Sequence, residues 1–468
     1  MKHRLSLRTK NAITVLLIAL ALLLPCLAAC DSAKTPSPAD GAISGNPAHN
    51  ADSGETAEPE PDYVWFEFPE PTDRLVIYTD PYYDLELKEA AELFREQYPD
   101  VSLDYRIFGE DELTAKLRAE IPAGGGPDLV YADIYSFPDI FKTISTGVFT
   151  DLNPYLENDS EFSFADYNTA VLDGGVYEGR RCIIPIEYEI PIVLTTEEVL
   201  EAIGSSAEEL QTFDGFLKAC DRFYQTGGKK TYLFSYGASQ KYQQNLYLYS
   251  GLSLIDYERH TVGADREIFG KILGVSALYG KNPTTELISQ SRPQDWLIQQ
   301  KCLFLNHYPT ILLLFNYYAF LKNNGVSPVL AVLPAYDDGT AAQIKTYAAI
   351  PVSSVNPLNA YRFLKILLSD DFQCPPSHPD FGPLQLGLPV KNSSMERLLS
   401  VQRTRYGIGE EITDRILERI GSISHSSSFP PVLYRYYRDE MLPYIQGKKD
   451  FDACFDKLVS VLELYIDE

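Results

Sequence analysis

From residue 74 onward, unbroken apolar runs alternate with stretches whose apolar residues recur every three or four positions. Leu75, Val76, Ile77 and Tyr78 predict a short buried strand. Asp80 and Pro81 come next, as a helix cap and a favoured first-turn residue. Leu87, Ala90, Ala91, Phe94 and Tyr98 then share one helical face, and Pro99 ends that helix. Val101, Leu103, Tyr105 and Ile107 alternate with polar residues, as a strand requires, while Leu113, Leu117 and Ile121 mark a second helix. The remainder of this region is organised around residues 121–133, IPAGGGPDLVYAD. The triple glycine lets the chain turn sharply, residues 128–132 predict a third strand, and Phe137, Phe141 and Ile144 a third helix. The order βαβαβα argues for a parallel, doubly wound sheet. With strand one between strands two and three, the topological switch point falls at the loops of residues 79–83 and 133–137, where open α/β sheets take ligands. Both loops carry an acid and aromatics: Asp80, Tyr82 and Tyr83 in one, Asp133 and Tyr135 in the other.

Further on, helical faces are predicted around Phe216, Leu217, Cys220 and Phe223, and around Ile268, Ile272 and Leu278. Thr195 with Glu198 reads as a capping box that opens a helix, and Gly204 closes it. No internal repeat is present.

The N-terminus has a separate pattern. Lys2, Arg4, Arg8 and Lys10 precede an apolar run over residues 12–24, too short to span a bilayer and placed like the core of a signal peptide. Leu27-Ala28-Ala29-Cys30 resembles the lipobox of bacterial lipoproteins, which implies cleavage before Cys30 and a lipid on its sulfur. Residues 1–29 are therefore expected to be a lipoprotein signal peptide. Residues 30–73, rich in Ser, Pro, Ala, Gly and acids, are expected to be a disordered tether to a membrane surface. Loss of the four leader cations takes the formal charge from −25 to −29. Such a surface repels phosphate, so nucleic acid is excluded as a partner. The 32 Tyr against 2 Trp supply apolar rings with polar tips, suited to a wet cleft.

A family resemblance rests on three adjacent segments, RLVIYTDPYYDLELKEAAELFREQYPDVSLDY, DELTAKLRAEIPAGGGPDLVYAD and TGVFTDLNPYLE. Together they resemble the family 1 extracellular solute-binding proteins of ABC importers. GVYEGRRCIIPIEYEIPIVLTTEEVLEAIG resembles that family's crossing from one lobe to the other. IPVSSVNPLNAYRFLKILLSDDFQ and PYIQGKKDFDACFDKLVSVLELYIDE resemble its later helices. The resemblance implies the type II periplasmic-binding-protein fold, two doubly wound α/β lobes joined by hinge strands that close on a solute. It implies delivery of a small polar solute, a sugar or oligosaccharide, to ABC permease subunits, by a monomer outside the cell membrane or in the periplasm.

On that basis, residues 74–190 are expected to begin lobe 1, residues 191–333 to form the main part of lobe 2, residues 334–370 to return to lobe 1, and residues 371–468 to be lobe 2 C-terminal helices. The crossovers are expected at residues 186–191, 329–336 and 369–376. Glu187, Tyr188 and Glu189 at the first of them, with Trp296 and His307 from the second lobe, join the candidate ligand-binding residues. Many sugar-binding members place tryptophans in the cleft, whereas this chain must rely on tyrosine.

An enzyme remains the alternative. Glu187 and Glu189 with Asp80 or Asp133 have the composition of a glycosidase carboxylate pair, although acids this frequent pair by chance. A receptor feeding a sensor partner is a third reading. The chain has no GxSxG, Walker loop or GxGxxG after a strand, and its six histidines lack metal spacing. No metal, cofactor or catalytic residue is expected. Cys26 leaves with the leader, and Cys182, Cys220, Cys302, Cys374 and Cys454 are far apart, as buried apolar residues would be.

Overall fold

The computed structural model describes residues 66–227, 231–235, 246–279, 293–305, 311–375, 387–427 and 430–468. The leader, Cys30, the tether to residue 65 and His307 lie outside the described residues.

The predicted βαβαβα unit forms as expected. Strand β1 (Arg74–Thr79), helix α1 (Asp84–Gln97), β2 (Ser102–Ile107), α2 (Glu110–Glu120), β3 (Leu129–Asp133) and α3 (Ile140–Ser145) succeed one another. β1 lies between β2 and β3 and is parallel to both. The glycine turn before β3 needs the freedom foreseen for it, since Gly124 and Gly126 have φ of 78° and 94°. α1 buries Leu87, Ala90, Ala91 and Phe94. Leu113 and Leu117 of α2, with Ile140 and Ile144 of α3, pack with Val76, Tyr78, Val130 and Ala132.

Later segments complete this sheet. β4 (Ile184–Glu189) enters it, and β5 (Ile192–Thr196) opens a second one. α4 (Glu197–Ala202) comes next, capped by the Thr196 hydroxyl, which accepts from Val199 N at 3.2 Å. The cap is thus one residue later than the expected Thr195. Glu198 does not close a capping box but accepts from Ser327 N at 2.9 Å, tying the helix to the next connection. α5 (Phe213–Gly227), β6 (Tyr232–Phe234), α6 (Leu246–Tyr249), α7 (Arg266–Tyr279), β7 (Cys302–Phe304), α8 (Ile311–Asn323) and β8 (Pro328–Val332) build the second lobe. Its sheet pairs β8 with β5 and β7 with β6, and Leu194 and Leu305 bridge the two pairs.

β9 (Thr340–Ala349) then returns to the first sheet, running antiparallel between β3 and β4. Of the three expected crossings, β4→β5 and β8→β9 run between the two sheets. The third does not. After α9 (Pro357–Leu367), the segment at residues 369–376 begins as a short helix, Asp370–Gln373, beside the first sheet. β10 (Leu388–Pro389) pairs with β4. Helices α10 (Asn392–Tyr406) and α11 (Glu410–Gly421) lead to β11 (Ile423–Ser427), which pairs with β9. Only then do α12 (Pro431–Ile445) and α13 (Phe451–Asp467) join the second lobe's core with Phe269, Leu303 and Val329. The first sheet therefore has the order β10-β4-β9-β3-β1-β2, with β11 further along β9.

Residues 66–73 are not free tether. Phe66 and Phe68 pack on Tyr155, and Asn359 Nδ2 donates to the Thr72 carbonyl at 2.9 Å. All five described cysteines are buried and free. Among the described residues, no helix is long and apolar enough to cross a membrane.

Candidate functional site at the sheet switch point

Because β1 lies between β2 and β3, the loops after β1 and β3 diverge, and the acids at their starts fix both. Asp80 Oδ1 accepts from Tyr82 N at 2.9 Å, and Asp133 Oδ1 accepts from Tyr135 N at 2.7 Å. The Tyr83 hydroxyl donates to Asp133 Oδ2 at 2.9 Å, joining one loop to the other. Each loop is a single 3-10 turn, and the turn directs one tyrosine outward: Tyr82 is 79% exposed and Tyr135 37%. Each loop thus presents one exposed aromatic ring beside an acid.

A polar row continues across the sheet. Pairing sets Asp133 opposite Thr346, and Thr346 opposite Glu187. These three side chains come from three separate strands, distant in sequence, and form one cross-strand row. Register shifts on both sides of Thr346 mark bulges in β9. Lys345 Nζ, in the same bulge, lies 3.4 Å from Glu189 Oε1. Beneath, the Tyr131 hydroxyl donates to Glu86 Oε2 at 2.6 Å.

Glu187, Thr346, Thr79 and Tyr347 are all 0% exposed. Neither Glu187 oxygen nor any of these three hydroxyls meets a hydrogen-bond partner among the described residues. Leaving such a group unsatisfied costs about 1–3 kcal/mol, so this concentration marks a place where water or a ligand completes the bonding. Burial pushes the Glu187 carboxyl well above the usual carboxylate range; Glu86 adds to this, Lys345 opposes it, and Glu189 and Asp133 add further. Burial, then Asp133 and Glu187, likewise raises the Tyr83 phenol, which stays neutral.

The second lobe faces this row. α6 packs on β9, and its Tyr247 phenol lies within electrostatic range of Tyr135. At the rim, Asp139 joins the lobes: its Oδ2 accepts from the hydroxyls of Tyr257 and Tyr465, each at 2.7 Å.

Of the residues singled out from sequence, Asp80, Tyr82, Tyr83, Asp133, Tyr135, Glu187 and Glu189 gather here. Tyr188 does not: it is fully buried among Ile184, Ile186 and Leu388. Trp296 is also a core residue, packed edge-on against Tyr232 at 4.8 Å. Sequence reasoning missed Thr79, Glu86, Tyr131, Thr346 and Tyr347. One signal was present: β9 reads TAAQIKTYAA, a buried strand interrupted by a lysine and a threonine. Among the described residues, no group of three or more His, Cys, Asp or Glu side chains converges as metal ligands do.

A binding protein with two α/β lobes and a polar site at the crossing strands is the class this geometry defines. The family model described as bacterial extracellular solute-binding protein matches residues 81–373, and the chain belongs to that family. No curated protein matches the chain. Among solved structures, it is similar to the sugar-binding protein MalE from Xanthomonas citri, with 14% identity, 84% of this chain and 97% of that one covered, and a TM-score of 0.63. It is also similar to the cyclic alpha-maltosyl-1,6-maltose binding protein from Arthrobacter globiformis, with 15% identity, coverage of 85% and 99%, and a TM-score of 0.59. The GacH receptor of Streptomyces glaucescens shares 17% identity over 85% of this chain and 100% of that one, with a TM-score of 0.55. These likenesses support the fold.

Proposed function

We propose that this chain is a lipid-anchored receptor that captures a sugar or oligosaccharide between its lobes and hands it to an ABC importer. The observation that carries the reading is the row Glu187–Thr346–Asp133, with Glu187 and Thr346 sealed and unsatisfied, beside the loops that expose the rings of Tyr82 and Tyr135. A sugar presents hydroxyls that donate to carboxylates and C–H faces that stack on aromatic rings. Two of the similar structures, a sugar-binding protein and a maltosyl-maltose binding protein, agree with that chemistry.

Titration calorimetry with an oligosaccharide panel tests the reading. Binding without product is expected, and turnover would favour the hydrolase instead. With a ligand in hand, Asp133→Ala and Tyr135→Ala are each expected to weaken binding by about 1–3 kcal/mol, the usual cost of a charged hydrogen bond or a packed aromatic. The same thermal melt as wild type would accompany the Tyr135 change, because that ring is exposed. Undiminished affinity in both variants would move the site elsewhere.

The anchor rests on Leu27-Ala28-Ala29-Cys30 after the apolar leader. The Cys30→Ser protein is expected to lose radiolabelled fatty-acid incorporation and to leave the membrane fraction. Equal labelling of the two proteins would remove the anchor from this account.

A further inference from the structure

We infer that the solute carries a protonated amine, an amino sugar rather than a neutral one, with its ammonium group held against Asp133 at the end of the Glu187–Thr346–Asp133 row. This rests on the solute-binding reading above and narrows it.

The first ground is the field behind the row. Glu187 is fully buried, and among the described residues the charged side chains that act on it most strongly are Glu86 from α1, Lys345 from β9, Glu189 from its own strand and Asp133 from β3. Three of the four are acids. Lys345, the cation among them, lies 3.4 Å from Glu189, so its charge is shared. The phenols packed nearby, Tyr83 and Tyr131, are held neutral by burial; each donates a hydrogen bond, to Asp133 and to Glu86, but neither brings a positive charge. A neutral sugar entering this field brings hydroxyl donors but no charge. An ammonium group relieves it, because an opposite charge within a few ångströms favours the ionised carboxylate.

The second ground is independent of the acids. Thr346 Oγ1 stands between Glu187 and Asp133 in the register, fully buried and without a partner among the described residues, and Tyr347 and Thr79 present hydroxyls in the same state. An ammonium has three donors and no acceptor. A carboxylate and a hydroxyl acceptor side by side match it better than they match a metal ion, for which no cluster of three ligating side chains is present among the described residues. Asp133 is the partly exposed member of the row and Glu187 the sealed one. Asp133 therefore touches the amine, and Glu187 acts through the field as a positioning residue. The exposed faces of Tyr82 and Tyr135 call for a ring on the same solute, and an aromatic face also attracts a cation. Together these features select an amino sugar over a linear amine.

Binding then has a signature. Burial and the surrounding acids push the Glu187 carboxyl toward its protonated form, with Lys345 opposing them. Arrival of the cation favours its ionised form, so one proton passes from Glu187 to the buffer as the complex forms. Affinity rises with pH until the ligand amine itself deprotonates.

The test is calorimetry on the soluble body, comparing glucosamine and its β-1,4 oligomers with glucose and the N-acetylated oligomers of the same length. Each titration is repeated in two buffers of different ionisation enthalpy. The expected result is at least tenfold tighter binding of the free amines, with a buffer-dependent heat that reports proton release. Glu187→Gln should reduce that preference at least tenfold and abolish the buffer dependence. It should melt no lower than wild type, because glutamine has the shape of the protonated acid. Binding of only the neutral or acetylated sugars would overturn the amine inference and leave the solute-binding reading standing. Binding of neither class would overturn both. Amine binding that Glu187→Gln leaves unchanged, buffer heat included, would overturn the role given to the row.

Discussion

Asp139→Ala is expected to loosen the contact between the two lobes and to lower stability by about 4–7 kcal/mol, the sum of a lost cap and two lost charged hydrogen bonds. The side chain does two jobs with its two oxygens. Oδ1 caps α3, accepting from Phe141 N at 3.0 Å and Lys142 N at 3.2 Å. Oδ2 receives both Tyr257, in the turn between the short strands Ile255–Asp256 and Thr261–Val262, and Tyr465 near the end of α13. Asp139 is 4% exposed, and burial followed by the Asp139 charge raises the Tyr257 phenol. Losing a cap costs about 1 kcal/mol, and each hydrogen bond to a charged group about 1.5–3 kcal/mol. The remaining contacts are weaker: the Phe141–Tyr257 ring contact at 5.0 Å, Lys142 over the Tyr465 ring, and Val432 N donating to the Pro138 carbonyl at 3.2 Å. Small-angle scattering without ligand should give the variant a larger radius of gyration than wild type. Tyr465→Phe, which keeps the cap, should show part of the same change. Superimposable scattering curves and equal melts would show that Asp139 does not join the lobes.

Asp128→Ala should be comparably damaging for a different reason. The glycine turn delivers Asp128 to the start of β3, where it is 3% exposed. Its backbone N–H donates to the Val76 carbonyl at 2.7 Å, and Oδ2 accepts from Val76 N at 2.8 Å, so one residue answers both backbone groups of Val76. The carboxylate also accepts from the Ser354 hydroxyl, from Asn356 N and from Asn356 Nδ2 at 2.9–3.2 Å. It therefore holds β1 and β3 to the loop that starts α9. Alanine strands several buried donors, and a loss of about 3–5 kcal/mol is expected from denaturant unfolding. Asp128→Asn should recover only part of this, since its amide nitrogen must face donors. A loss under about 1 kcal/mol would mean that water replaces the carboxylate. Because Asp128 lies at the opposite end of β3 from the switch-point loops, the folded fraction of the variant should still bind solute.

Much of the first lobe was legible. The period of Leu87, Ala90, Ala91 and Phe94, the alternation through Leu103 and Tyr105, and the glycine turn are local signals, and each produced the element it predicted. The strand order 2-1-3 agrees with right-handed crossovers, and it sent Asp80 and Asp133 to adjacent loops. Other features were not legible. Tyr188 and Glu187 are neighbours in sequence, yet one is core and the other part of the polar row, because successive residues of β4 point to opposite faces and only the folded sheet decides which face is which. Trp296 looked like a cleft residue by its type alone, and packing on Tyr232 claims it for the core.

The sequence by itself determined the alternation of strands and helices in the first lobe and the two acid–tyrosine loops, because each depends on residues close to one another along the chain. It also carried the family, through motifs spread along its length. Tertiary structure alone decided the third crossing, where β10 and β11 return to the first sheet, and the meeting of Asp139 with Tyr257 and Tyr465, residues 118 and 326 positions away. It alone set Glu187, Thr346 and Asp133 in one row. No local propensity encodes such a pairing: it depends on register and burial, which exist only once the sheet has closed around β9.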